Sequence, residues 1–189
     1  MLLAVELCSL TFQPDDTSVA NMIAASLFGD GAAAAVVVHD AAGGSGPRIV
    51  ATRSVLYPGT GHVMGWNISE RGFHLVLSPE ISDLIRDHLP SDVDGFLGDH
   101  GLQRHDIGVW MVHAGGPKIL TTVDHALNLP PGALDLAWHG LEEKGNISSA
   151  SVLLVLKETM ESRRPAAGSY GLLFAMGPGF CSEMILVRW

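Results

Sequence analysis

Short apolar runs rich in β-branched residues alternate with segments of helical spacing along the whole chain. We predict single strands at residues 2–12, 32–39, 48–57 and 109–113, and a terminal β-hairpin of residues 170–176 and 181–188. Strands that alternate with helices in this way favour an α/β layered architecture over a helix bundle or a β-sandwich.

Segments of helical spacing fall between these strands. We predict helices at residues 18–27, from residue 78, from residue 117 and at residues 146–163. Thr17 or Ser18 caps the first of them. Residues 40–47 read as a glycine-rich hairpin turn, with the strand at 48–57 returning from it, and residues 58–71 read as a loop. No linker is long enough to divide the chain, so we expect one domain, residues 1–189.

Composition narrows the class of protein. The 189 residues are 47% hydrophobic and 16% charged, which fits a compact domain with a substantial core. The net charge is −9, and the eleven lysines and arginines are scattered, so the basic footprint of a nucleic-acid-binding protein is missing. Nucleic acid is therefore not an expected partner.

The longest apolar stretches, residues 31–38 and 147–156, are too short or too interrupted to cross a bilayer. The first residues have no basic segment followed by a signal-peptide core. We therefore expect a cytoplasmic protein without a membrane partner. Residues 2–8 read as a strand with no preceding turn or cap, which leads us to expect further sequence upstream.

Cysteine and histidine usage gives no sign of a disulfide scaffold or a metal site. Cys8 and Cys181 lie far apart in apolar segments, and we interpret both as buried thiols. Nine histidines are present, but pairs such as His100 with His105 lack the ligand spacing of a zinc site. We expect no bound metal.

One local motif places a histidine where chemistry is often found. His113 ends an apolar strand and is followed by Ala114-Gly115-Gly116-Pro117 and the start of a helix. The carboxyl edge of an α/β sheet commonly holds ligands, and glycines let a substrate approach the backbone closely. From this motif alone, a functional histidine and a structural one bonded to a neighbour remain equally open.

A second motif, Gly145-Asn146-Ile147-Ser148, places an amide at a helix amino terminus. Asparagine is a preferred helix cap, and capping alone would explain it. The functional interpretation is that the amide nitrogen and the helix dipole stabilise a developing oxyanion.

Together these motifs resemble the thiolase-fold condensing enzymes, and five segments in order narrow the resemblance to type III polyketide synthases of the chalcone and stilbene synthase kind. The segments are Leu27-Phe-Gly-Asp-Gly-Ala-Ala-Ala, Gly72-Phe-His-Leu, His113-Ala-Gly-Gly-Pro, Gly145-Asn-Ile-Ser-Ser-Ala and Gly177-Pro-Gly. The resemblance covers nearly the whole chain and is closer to bacterial members. It implies the C-terminal half of a thiolase-like α/β fold, with a mixed five-stranded sheet and layered helices.

The resemblance implies a reaction and its residues. In the family, a cysteine thiolate takes an acyl group from a CoA thioester, and the enolate from decarboxylated malonyl-CoA attacks it in a Claisen condensation. By resemblance, His113 stabilises the thiolate and, with Asn146, hydrogen-bonds the thioester carbonyl. Substrate-binding positions implied in the same way are Phe28 and Phe73 as gatekeepers, Thr11, Gly115, Gly116, Lys118, Ser148, and the Gly177, Pro178 and Gly179 turn. Acyl-CoA and malonyl-CoA are the implied substrates, with no cofactor.

Family members are about twice this length, and their nucleophilic cysteine belongs to the first half. Cys8 lies in a predicted strand without the small-residue helix start that a thiolate needs, and Cys181 lies in the terminal hairpin. We therefore expect an N-terminal half carrying the nucleophile as partner, a homodimer of the complete enzyme, and no activity of this chain alone. Ala114 and Ala175-Met176 depart from the family pattern, which indicates a different cavity shape.

Two other interpretations stay open. The chain is a catalytically inactive truncated fragment with an interaction role, or it is part of a ketoacyl synthase III-like enzyme that uses an acyl carrier protein. The starter unit, the number of extensions and the cyclisation mode depend on a cavity that both halves line.

Overall fold

The structure, a computed structural model, describes residues 1–40 and 43–189. Within them the strands are β1 Leu2–Glu6, β2 Gly31–Ala35, β3 Arg48–Leu56, β4 Met64–Ser69, β5 Gly72–Leu77, β6 Ile107–Val112, β7 Tyr170–Gly177 and β8 Cys181–Arg188. The helices are α1 Val19–Leu27, α2 Ile81–Gly98, α3 Pro117–Leu127, α4 Asp135–Lys144 and α5 Ser148–Ser162. This confirms the α/β class and the predicted helices that begin near residues 18, 78, 117 and 146.

The largest sheet is mixed, in the order β3-β8-β7-β6. β7 and β8 form the predicted terminal hairpin, whereas β6 and β7 run parallel. Leu172 and Leu186, on the central strands, are completely buried because helices cover the sheet. Among the described residues this sheet has four strands rather than the five predicted, and β1 pairs with β2 in a separate ribbon.

The α2 helix shows why the sequence folds in this way. Its apolar residues recur every three or four positions, with Leu84 partly buried and the others buried: Ile81, Ile85, Leu89, Val93, Phe96 and Leu97. The helix begins at Ile81 rather than at Ser78, because the Ser78 hydroxyl bonds the Glu80 backbone N–H and carboxylate in a local turn. The helix packs against α3 and contributes much of the core.

The ribbon of β1 and β2 is the least covered part of the structure. Glu6 bonds α5, so the alternate residues Leu3 and Val5 lie on the opposite face, where they are 61% and 55% exposed. The register places the small Ala34 and Ala32 beside them. This flat apolar face is open to solvent.

Two predicted strands are shorter than expected. The strand predicted at residues 2–12 ends at Glu6, and Cys8–Thr11 forms a single 3₁₀ turn closed by the Thr11 hydroxyl on the Cys8 carbonyl. Cys8 is therefore not a strand residue, and both cysteines are half-buried rather than buried. The strand predicted at 32–39 ends at Ala35, because β1 offers no partner beyond Leu2.

The strand at 48–57 was predicted to return from a hairpin turn at residues 40–47. Instead β3 pairs with β8, and its partly buried Ala51 and Val55 pack against the core. The hairpin prediction is wrong because β8 supplies a longer partner than β2 does. Residues 41 and 42 of the predicted turn lie outside the described residues.

Three elements were missed, namely β4, β5 and α4. The predicted loop at 58–71 contains β4, which pairs with β5 across a two-residue turn from Ser69 to Gly72. The α4 helix was not predicted, although Leu134, Ala137 and Leu141 are spaced for one buried helical face. No helix among residues 1–40 and 43–189 is long and apolar enough to span a membrane.

Gly171 in β7 offers a test of the sheet packing. A Cβ there would lie 2.8 Å from Val109 Cγ1 and 3.0 Å from Met111 Cε. We expect Gly171→Ala to lower the free energy of unfolding by ~1–3 kcal/mol through overpacking. Gly108→Ala on neighbouring β6 is the control, because its Cβ would meet only ordinary contacts from 3.6 Å. Equal urea midpoints for the two variants would contradict this packing.

Candidate active site

His113 lies directly after β6, at the carboxyl edge of the parallel pair. Its backbone N–H donates to the Phe174 carbonyl at 2.9 Å, which extends the pairing with β7 by one residue. The following backbone turns sharply, since the Gly115 N–H donates back to the His113 carbonyl at 2.8 Å. The imidazole lies against Gly115, where a Cβ would be 3.4 Å from Nε2. The residue is partly buried at this edge, and its imidazole is largely surrounded by protein atoms.

The surroundings of His113 hold it neutral. Desolvation lowers the pKa of His113 to about 4, and the negative charge of Glu6 opposes that shift only in part. Burial disfavours the charged form of a histidine, so at neutral pH the imidazole carries one N–H donor and one acceptor nitrogen.

Asn146 is held by its backbone between two residues of the 27–29 segment. Its N–H donates to the Leu27 carbonyl at 2.8 Å, and its carbonyl accepts from the Gly29 N–H at 3.0 Å. These bonds pair Phe28 with Asn146 in a parallel bridge. The asparagine is 4% exposed, so its side chain has a fixed environment.

The Asn146 amide joins the two sequence motifs. Nδ2 donates to the Gly115 carbonyl at 3.0 Å, and Oδ1 accepts from the Ser148 N–H at 2.8 Å. The residue preceding α5 is Ile147, so Asn146 is one position earlier than a standard cap, yet it still bonds the first helical N–H. An amide nitrogen carries two hydrogens, and the bond to Gly115 uses one. Capping and donation to a substrate are therefore compatible.

Glycine is required immediately before Asn146. Gly145 has φ +72°, and a Cβ there would lie 2.7 Å from the Leu27 carbonyl oxygen. A side chain would push the 27–29 segment away and break the bridge that holds Asn146. The glycine in the Gly-Asn motif is thus explained by close backbone approach.

Glu6 is a site residue that sequence reasoning missed. Its carboxylate accepts bonds from the Ser149 backbone N–H and hydroxyl, at the amino terminus of α5. It also supplies the charge that acts on His113. A carboxylate inside an otherwise apolar strand was the available signal, because an isolated charge there needs a buried or capping partner.

Cys8, Thr11 and Ser148 form a chain of contacts leading to Asn146. The Cys8 Sγ is 3.8 Å from the Ser148 Oγ, and the Thr11 hydroxyl bonds the Cys8 carbonyl at 2.8 Å. Burial raises the pKa of both Cys8 and Cys181, which disfavours a thiolate at either position.

The remaining predicted residues lie around this centre. Phe28 is bridged to Asn146, Gly116 is buried at the start of α3, and Lys118 is exposed on the first turn of that helix. Phe73 in β5 is 47% exposed, with its ring edge-on to Trp66. The turn of Gly177, Pro178 and Gly179 follows β7 on the same sheet edge as His113. The described residues record no hydrogen bond from His113 or Asn146 to Phe73, Lys118 or this turn.

Solved structures share this fold. The bacterial type III polyketide synthase 1,3,6,8-tetrahydroxynaphthalene synthase of Streptomyces coelicolor A3(2) superposes with a TM-score of 0.92 at 36% identity. The alignment covers 99% of this chain and 53% of that one. PKS-I of the brown alga Ectocarpus siliculosus gives a TM-score of 0.87 at 27% identity, covering 99% and 52%. The chain thus has the thiolase-like fold of type III polyketide synthases.

Sequence comparison agrees with the fold. Residues 48–189 match the C-terminal domain of chalcone and stilbene synthases. A 1,3,6,8-tetrahydroxynaphthalene synthase of Streptomyces peucetius subsp. caesius is 52% identical over all of this chain and 51% of its own length. The chain belongs to the chalcone and stilbene synthase family, as the motifs predicted, and it spans about half the length of the curated relatives it matches.

The charge environment of His113 can be tested by titration. We expect the ¹H–¹³C resonances of His113 to show a mainly neutral ring at pH 5, because its pKa lies near 4. Glu6→Gln should lower the pKa further, since it removes the negative charge that favours the imidazolium. Glu142→Gln, an exposed site on α4, is the control. A pKa that rises in the Glu6 variant would contradict this assignment.

The same shift predicts a pH dependence of stability. An unfolded histidine titrates near 6.5, whereas folded His113 titrates near 4, so the unfolded state binds more protons between these values. The His113 contribution to the free energy of unfolding is therefore present above pH 6.5 and is lost as the pH falls toward 4. His113→Gln should flatten this part of a urea-midpoint profile, and an unchanged slope would rule the contribution out.

Proposed function

We propose that this chain supplies His113 and Asn146 to a type III polyketide synthase that condenses malonyl-CoA onto an acyl-CoA starter. The observation that carries the proposal is the bond from Asn146 Nδ2 to the Gly115 carbonyl, which brings the asparagine to the loop carrying His113. Family membership supports a polyketide synthase, and the two side chains supply the donors that this reaction needs.

Decarboxylation of a malonyl thioester breaks the bond between its carboxylate and the α-carbon. The electron pair moves toward the thioester oxygen, and CO₂ leaves. The second hydrogen of the Asn146 amide and the N–H of neutral His113 donate to that oxygen as its charge develops. The enolate carbon then attacks the acyl thioester, and the attacked carbonyl re-forms as the cysteine thiolate leaves. The Asn146 donor is fixed by its two side-chain bonds before the reaction, which is what electrostatic stabilisation requires.

The nucleophile in this proposal is a cysteine of an N-terminal half. Burial raises the pKa of Cys8 and Cys181, and neither begins an α-helix whose dipole would favour a thiolate. A thiolate brought beside His113 would raise the histidine pKa and form the charge pair that acyl transfer from CoA needs.

The apolar surface at the beginning of the chain supports such a partner. A two-stranded ribbon is marginally stable alone, yet β1, α1 and the segments that follow β1 and β2 expose large apolar residues. They are Leu2, Leu3, Val5, Leu7, Leu10, Phe12, Val19, Met22, Ile23, Val36, Val37 and Val38. We name these residues the amino-terminal apolar surface and propose that the N-terminal half covers it.

The class of product is proposed from the relatives. Their names, 1,3,6,8-tetrahydroxynaphthalene synthase and 3,5-dihydroxyphenylacetyl-CoA synthase, specify hydroxylated aromatic compounds. We propose a product of this resorcinol-like kind or a pyrone, made from CoA thioesters without a resident cofactor.

Activity can be measured after co-expression with the N-terminal half of the 52% identical Streptomyces peucetius relative. We expect malonyl-CoA consumption by the complex and none by the chain alone. His113→Gln or Asn146→Ala should lower kcat about 10²- to 10³-fold, because each removes an oxyanion donor. His105→Gln is the matched control, since its side chain is 74% exposed.

The outcome decides between the proposal and its alternatives. No malonyl-CoA consumption by a formed complex would leave an inactive chain with an interaction role. Turnover that requires an acyl carrier protein would instead indicate a ketoacyl synthase III-like enzyme.

Docking of the N-terminal half can be tested separately from activity. Ala34→Lys places a charge on the flat face of the ribbon and should weaken complex formation about 100-fold, or ~3 kcal/mol, because the charge is buried without a partner. Ala167→Lys, in an exposed turn, is the control. Equal dissociation constants by titration calorimetry would show that the partner does not cover this face.

A further inference from the structure

The loop at residues 57–60 bonds Phe180, the residue that follows the turn after β7. The Tyr57 N–H donates to the Phe180 carbonyl at 3.0 Å, and the Phe180 N–H donates to the Thr60 Oγ1 at 2.9 Å. Phe180 is completely buried directly after the turn of residues 177–179. Both backbone groups of Phe180 are therefore fixed by one short loop.

The Thr60 hydroxyl is the centre of this contact. It accepts from Phe180 and donates to the Tyr57 carbonyl at 2.6 Å, so a single group uses both of its hydrogen-bonding functions on backbone atoms. Serine can make both bonds at this position, whereas valine, with nearly the same shape as threonine, can make neither.

Tyr57 fixes the loop to the core. Its side chain is 5% exposed, and its hydroxyl lies 2.7 Å from Asp92 Oδ2 in α2 and 3.1 Å from the Ser182 Oγ in β8. Its ring stacks on Phe180 with centroids 6.0 Å apart. The loop is thus a rigid support rather than a free connection.

The same loop closes the base of the β4–β5 hairpin. The Val63 N–H donates to the Thr60 carbonyl at 3.0 Å, and the Ser78 N–H donates to the Val63 carbonyl at 2.8 Å. Val63 directly precedes β4 and Ser78 directly follows β5, which carries Phe73. Thr60 therefore bonds Phe180, the residue after the turn at 177–179, through its hydroxyl, and Val63, the residue before the hairpin that presents Phe73, through its backbone carbonyl.

We propose that Thr60 is a positioning residue that sets the distance between this turn and the hairpin, and thereby the polyketide length that the cavity accepts. The inference rests on the proposed function and on the family resemblance, which implies that Phe73 and the turn at 177–179 are substrate-binding positions. His113 and Asn146 make none of these bonds, so the loop controls cavity shape separately from the oxyanion donors.

The experiment compares Thr60→Val with Thr60→Ser in the complex of this chain with the N-terminal half, using malonyl-CoA and a fixed starter. Thr60→Val should change the ratio of products of different carbon number about fivefold, as expected for the loss of one net hydrogen bond. Thr60→Ser should keep the wild-type product ratio. The KM for malonyl-CoA should stay within about twofold, because ground-state binding groups are unchanged.

A second readout is independent of activity. Amide hydrogen exchange in the 189-residue chain should become faster at Phe180 in Thr60→Val and stay unchanged in Thr60→Ser, since only valine removes the acceptor. If Thr60→Val does not fold, Tyr57→Phe keeps the ring and removes the bonds to Asp92 and Ser182, and it should change the product ratio in the same direction.

Two outcomes would overturn the inference: an unchanged product ratio in Thr60→Val, with or without less total product, or a changed product ratio in Thr60→Ser. Each of these needs an active wild-type complex. A wild-type complex that consumes no malonyl-CoA is a different result, which contradicts the proposed function itself.

Discussion

The bonds of the Asn146 amide hold the candidate site together. One side chain joins the loop after β6 to the start of α5, while its backbone pairs with the 27–29 segment. Three chain segments that are distant in sequence therefore meet at one buried amide. Because Asn146 has both structural bonds and a remaining donor hydrogen, replacing it affects the geometry of the site as well as its chemistry. A loss of activity in an Asn146 variant would therefore include both effects.

The sequence predicts the elements that have a strong hydrophobic periodicity or a local capping or turn signal. Pro117 starts α3, Ser18 caps α1 by accepting from the Asn21 N–H, and the two apolar runs around Gly177 form the terminal hairpin. Strand pairing could not be predicted in the same way, because β3 reaches β8 across more than 120 residues and no local signal specifies that partner. The error at 48–57 is of this kind, whereas the strand missed in 58–71 pairs locally with β5.

The candidate site shows the same difference between local motifs, which are predictable, and long-range contacts, which are not. The motifs placed His113 and Asn146 at strand or helix ends, and the structure has them there. Glu6 and Thr60 were missed because their roles depend on backbone partners far along the chain, Ser149 and Phe180. A carboxylate or a hydroxyl in isolation carries no information about which N–H it accepts from. Residues whose role depends on distant backbone partners are therefore harder to predict than residues that belong to a local motif.

The protonation of His113 links the site to the rest of the proposed enzyme. In this chain, desolvation outweighs the charge of Glu6, and the pKa falls to about 4. A thiolate at the same position would add a second and closer negative charge and raise that pKa. The reactive charge pair then forms only when both halves meet, whereas the bonds of Asn146 are already made within this chain. In the proposed enzyme, geometry and charge are thus supplied by different steps: folding of this half fixes the Asn146 donor, and assembly sets the protonation state that acyl transfer needs.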